Sequence, residues 1–183
     1  MNREEALNKV NSHVKNKNLI KHMLATEAIM RALAKKFNED EEKWGITGLL
    51  HDVDYELTEK EPEKHGLIAE ELLKDSDLPK DIIDAIKGHN ELNGSQRETL
   101  LAKALYVVDP LTGLIVAGAL VHPEKKLAPL DVNFILKRFK EKSFARGANR
   151  EQIKKCEEIG LSLEEFIDIG LQVMKSIAED LEL

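Results

Sequence analysis

The chain has 183 residues, 42% hydrophobic and 33% charged, enough apolar material for one core and too interleaved for a disordered tail. One Trp, two Tyr, five Phe and five Pro argue against an all-β sandwich, and the lone Cys156 excludes a disulfide framework and a cysteine-based structural zinc site. Lys and Arg number 27 against 34 Asp and Glu, and the net charge of −7 repels polyphosphate backbones, so no stable nucleic-acid binding is expected.

Met1-Asn2-Arg3-Glu4-Glu5 enters a charged helical pattern with no apolar signal region, so a soluble, cytoplasmic protein without membrane contact is expected. Leu24, Ala28 and Ala32, with Ala25, Ile29 and Leu33, recur at helical spacing and make one buried stripe ending near Phe37. A second helix runs through Trp44, Ile46, Leu49 and Leu50, and Asp52 to Pro62 reads as polar turn. His65, Ile68, Ala69 and Leu72 predict a third helix with His65 on or beside its core face. Asp77 is placed to cap a fourth, with Pro79 in its first turn and Ile82, Ile86 and His89 on one face.

Asn90 to Arg97 is turn-rich, and a long helix from about Glu98 to Val121 is expected to bend at Pro110. Its apolar stretch from Leu105 contains Asp109 and Pro110 and falls short of the roughly 20 residues of a bilayer span, so it reads as a core helix. The later helical segments are Asp131 to Lys140, Arg150 to Glu158 and Leu163 to Leu181. The last opens on Ser162-x-x-Glu165, a capping box. With no repeat or linker, the expectation is one all-α domain over 1–183, a helical bundle with its site core at about 20–112 and C-terminal helices 131–183 packing on it.

Imidazoles and carboxylates punctuate these helices. His22 lies on the first core helix, His51-Asp52 ends the second, His65 opens the third and His89 ends the fourth. Asp109 sits in the most apolar helix, where a carboxylate has to be paired, hydrogen-bonded or metal-bound, or else to cap the helix that Pro110 begins. Such donors, without thiolates, suit Mn-, Fe- or Zn-type cations.

The order His22, His51-Asp52, Asp109 resembles the H…HD…D signature of the HD-domain metal-dependent phosphohydrolases. The added His65 and His89 resemble the dinuclear branch, as do Gly48-Leu49-Leu50-His51-Asp52, Lys64-His65-Gly66 and Ala85-Ile86-Lys87-Gly88-His89. The segment Phe144 to Arg150 is similar to an uncharacterised bacterial and archaeal subgroup. The resemblance implies an HD-type helical bundle in which His22, His51, Asp52 and Asp109 hold one metal. Asp52 then bridges to a second metal held by His65 and His89. The implied cofactor is one or two divalent transition-metal ions, Fe or Mn favoured, with Zn, Co and Ni compatible.

Many dinuclear relatives read His-Asp-Ile-Gly-Lys, whereas this chain reads His51-Asp52-Val53-Asp54-Tyr55 and lacks that lysine. Asp54 and Glu56 are candidates for orienting or deprotonating a water, or for holding ligand histidines. Phosphate contacts are then expected from Lys64, Arg97, Arg146 and Arg150, the last two flanking the turn formers Gly147 and Asn149. His13 and His122 read as ordinary residues. The expected activity is metal-dependent hydrolysis of a small nucleotide or other phosphoester, the partner being that small phosphorylated substrate, with a homodimer left open. The alternatives are a dinuclear-iron oxygenase and a non-catalytic nucleotide-binding regulatory module.

Overall fold

Capping side chains decide where most helices begin. The computed structural model describes residues 1–183, which contain helices and turns and no strand, an all-α chain. Asn2 and Glu5 exchange side-chain and backbone hydrogen bonds of 2.8 and 2.9 Å in a capping box that opens α1 (Arg3–His13). Asn16 opens α2 (Lys17–Phe37), and Asn38 closes it in the left-handed conformation at φ 57°. Asp40 accepts from the Lys43 amide to open α3 (Glu41–Leu50). A short α4 (Tyr55–Thr58) lies inside the stretch that reads as polar turn, followed by a 3-10 turn, Pro62–Lys64.

His65 stands just outside α5 (Leu67–Leu73), in extended backbone, because Gly66 at φ 86° turns the chain between them. α6 (Lys80–Gly88) starts after Pro79 with no side-chain cap, and Asp77 takes φ 48° in the preceding turn instead of the expected capping role. A 3-10 turn, Glu91–Asn93, leads toward α7 (Leu100–Val121), where Thr99 Oγ1 accepts from the Ala102 amide. α7 is one helix with Pro110 inside it, so Asp109 caps nothing there. It is long and apolar enough to cross a membrane, yet 67% of its most apolar window is buried, as in a core helix.

Two compact units divide the chain, Met1–Tyr106 and Val107–Leu183. In the first, Met23, Ile29, Met30 and Leu33 of α2 are buried, as are Trp44, Leu49 and Leu50 of α3. Gly48 lets the two helices approach closely, since a Cβ there would lie 3.0 Å from the Glu27 backbone. A buried Glu27 carboxylate holds Arg3 at 2.6 Å and Arg31 at 3.0 Å, tying α1 to α2.

The second unit contains α8 (Val132–Lys140), capped by Asp131 on the Phe134 amide at 2.7 Å, and α9 (Arg150–Lys154), capped by Asn149. A 3-10 turn, Lys155–Ile159, follows α9. Ser162 accepts from the Glu165 amide to open α10 (Leu163–Ser176), and α11 (Ala178–Leu181) ends the chain's helices. α10 packs at Gly170 against Leu111 and Ile115 of α7, and Lys175 Nζ donates to the Leu130 carbonyl at 2.6 Å.

Candidate metal centre

Asp52 sits just past the C-terminal end of α3, 6% exposed, with imidazoles on both sides of its carboxylate. One oxygen, Oδ2, lies 3.4 Å from Nε2 of His22 and 3.4 Å from Nε2 of His51. The other, Oδ1, lies 3.2 Å from Nε2 of His65 and 3.4 Å from Nε2 of His89. Two clusters result, His22–His51–Asp52 and Asp52–His65–His89, each compact enough to hold a metal ion. They share one carboxylate, one oxygen apiece.

The far nitrogens fix the tautomers. Nδ1 of His51 lies 2.7 Å from the Gly48 carbonyl, and Nδ1 of His89 lies 2.5 Å from that of Ile86. A carbonyl only accepts, so these Nδ1 atoms carry the hydrogen and each neutral ring turns a lone pair on Nε2 toward Asp52. Across the clusters the Nε2 atoms of His22 and His51 are 3.1 Å apart, and those of His65 and His89 are 2.9 Å apart. Lone pairs facing at that distance repel unless a proton or a cation lies between them. Donor separations of 2.9–3.4 Å also match the polyhedron edges of about 3.0–3.4 Å that metal–donor bonds of about 2.1 Å produce. Four imidazoles and a carboxylate without a thiolate suit borderline divalent metals. The residues fit the group.

The proton balance agrees. Burial pushes the Asp52 carboxyl up, but the imidazoles packed around it, with hydrogen bonds from His22 and His65, hold it well below the usual carboxylate range. Burial pulls the His65 imidazole down, but Asp52 and Asp54 raise it to about 10.

Asp54 is fully buried and fully engaged. Its Oδ1 accepts from His65 Nδ1 at 2.8 Å, and its Oδ2 accepts from the amides of Gly66 and Ala69, both at 2.8 Å. It holds His65 and the start of α5, the second of the two roles expected for it, a partner of a ligand histidine. The Glu56 carboxylate, expected at the water or at a ligand histidine, instead accepts from the amides of Lys15 and Asn16, at 3.0 and 2.6 Å, tying α4 to the turn before α2.

The expected phosphate cations are mostly spoken for. Lys64 pairs with Glu61 on the surface, and Arg97 donates to the Gly88 carbonyl at 2.9 Å with its guanidinium 4.2 Å over the Tyr106 ring. Arg150 gives its hydrogens to backbone carbonyls: Ala145 at 2.7 Å, Ala148 at 2.6 Å, Phe144 at 2.5 Å and Phe139 at 3.2 Å. It staples its own loop, and so is not half of a phosphate clamp. Arg146 is exposed, in the second unit, as is Asp109, which is half-buried in α7.

Asn90 and Asn93 lie in the turn-rich stretch before α7. Their side-chain amides donate to the His65 carbonyl, at 3.0 and 2.8 Å, and so fix the loop that carries this ligand. Nothing in the sequence distinguishes them from other loop asparagines.

The HD domain family matches residues 19–114, just over half of the chain, and the chain belongs to that family, part of the metal-dependent phosphohydrolase superfamily. Over 96 residues, 52% of its length, the chain is 29% identical to Ribonuclease Y of Lawsonia intracellularis (strain PHE/MN1-00). It spans only 18% of that relative.

Proposed function

We propose that the chain is a metal-dependent hydrolase of a small nucleotide or other small phosphoester, using two divalent transition-metal ions, Fe or Mn favoured. One observation carries this: a single buried carboxylate offers one oxygen to each of two imidazole pairs. His22 and His51 would hold one ion, His65 and His89 the other, and Asp52 would bridge. Bound there, such ions supply an acidified water and positive charge for the phosphoryl oxygens. The chain's own part is orientation: Gly48 and Ile86 carbonyls and the Asp54 carboxylate aim three rings at Asp52. The relative's name points to RNA, but a net charge of −7 favours a small phosphoester here.

The test is elemental analysis of protein purified without added metal, then phosphate release from nucleotides, sugar phosphates and single-stranded RNA with Mn or Fe supplied. Two metal equivalents and release that Asp52→Asn abolishes are expected. His65→Ala or His89→Ala removes one equivalent and leaves the other. No metal-dependent release from any of these overturns the reading. A dinuclear-iron oxygenase is the second reading, favoured by the engagement of Lys64 with Glu61 and of Arg97 and Arg150 with backbone carbonyls. Dioxygen uptake by the reduced iron protein would establish it. Ligand binding without either turnover would leave a regulatory nucleotide-binding module.

A further inference from the structure

Six large hydrophobic side chains are exposed, and four of them, Tyr55, Leu57, Leu67 and Leu92, lie on the three short elements around His65. Tyr55, 45% exposed on α4, sets its ring perpendicular to the His65 imidazole with centroids 5.5 Å apart. Leu57 follows on the same turn. Leu67 begins α5, two residues past His65. Leu92, 64% exposed, sits in the Glu91–Asn93 turn, whose flanking Asn90 and Asn93 side chains are tied to the His65 carbonyl. The remaining two, Leu120 and Val121, end α7.

Exposed leucines scattered singly need no explanation, but their concentration beside a buried polar cluster does. In the same unit the large side chains of Trp44 and Met23 are buried. Lys64, next to His65 in the chain, pairs with Glu61, and the ion pairs of His65 are with Asp52 and Asp54. A ligand whose phosphoryl group is held at the Asp52 clusters therefore meets apolar and aromatic surface beside His65.

We infer that the Asp52 clusters serve phosphoesters carrying an aromatic or apolar group next to the phosphoryl group, and that Tyr55 is the specificity-determining contact for that group. This rests on the phosphohydrolase reading above. A flat ring packs on a tyrosine whatever its hydrogen-bonding pattern, so the contact selects for an aryl face and against a bare or hydrophilic ester.

The experiment is calorimetric titration of the Mn-loaded full chain with phenylphosphonate and methylphosphonate, which share a head group and resist hydrolysis. Phenylphosphonate should bind about ten-fold more tightly. Tyr55→Ala should bring the ratio close to one with Mn content unchanged, and Tyr55→Phe should keep it. Equal affinities in the unaltered protein, or a ratio that Tyr55→Ala leaves intact, overturn the inference alone. If neither ligand binds the Mn-loaded protein, the phosphohydrolase reading falls and the inference with it.

Discussion

Asp54 accepts three hydrogen bonds of 2.8 Å while fully buried, so its substitution by Asn sets a donor against either His65 Nδ1–H or two backbone amides. Asp54→Asn should cost about 1–3 kcal/mol in urea unfolding of the metal-free protein. It should also weaken Mn uptake at the His65–His89 cluster about 10- to 100-fold, as losses of ligand-orienting partners do, with the His22–His51 cluster retained. Glu56→Gln, which touches only the Lys15 and Asn16 amides, should leave Mn titrations unchanged. Cys156 is buried, and burial pushes its thiol up to about 11 from an ordinary 9.0. The folded chain thus keeps the proton longer than the unfolded one. The stability this contributes is present below about pH 9 and disappears as pH rises through about 11. Cys156→Ala should lack that loss in unfolding curves taken across the interval, and iodoacetamide at pH 8 should label the native chain far more slowly than the urea-unfolded one.

At the scale of elements, the crossing of α2 and α3 controls the first cluster, because His22 rides on one and His51 follows the other. A Cβ at Gly48 would meet the Glu27 backbone at 3.0 Å and the Met30 side chain at 3.0 Å. Backbone does not yield as a flexible side chain does, so Gly48→Ala should push the helices apart, at about 1–3 kcal/mol. Thermal unfolding should show the loss, and Mn titration should show weaker binding at the His22–His51 pair. An unchanged first-site affinity would mean that the cluster is set independently of this crossing. In the other unit, Gly170 plays the same spacing role where α10 meets Leu111 and Ile115.

For the whole molecule, ions that bind the folded chain and not the unfolded one must stabilise it. Mn at about 100 times its dissociation constant should add about 2.7 kcal/mol per site. For a chain of this size each kcal/mol raises Tm by about 2–4 °C, so scanning calorimetry should register the ions directly. Asp52→Asn should abolish most of the rise, since both clusters use that carboxylate. A thermogram indifferent to Mn would contradict the metal centre itself. The net charge of −7 coexists with a basic stretch in which Lys140 ends α8 and Lys142 and Arg146 follow in the next loop, a contrast that composition averages away.

Local chemistry was legible without coordinates. A cap acts within three or four residues, so Asp131 and Ser162 open helices where the pattern predicts. The order His22, His51-Asp52, His65, His89, Asp109 likewise pointed to a metal centre; the first five residues form the two clusters, and Asp109 lies in the other unit. The roles of Asp54, Arg150, Asn90 and Asn93 were decided only by tertiary structure. Each depends on which distant backbone or ring arrives at the side chain: Gly66 and Ala69 at Asp54, Phe139 at Arg150, His65 at the asparagines. The sequence by itself determined helices and donor types, because those follow from periodicity, capping and side-chain chemistry. The fold decided which nitrogen of each imidazole faces Asp52 and which charges are already consumed, because those are set by partners tens of residues away in the chain.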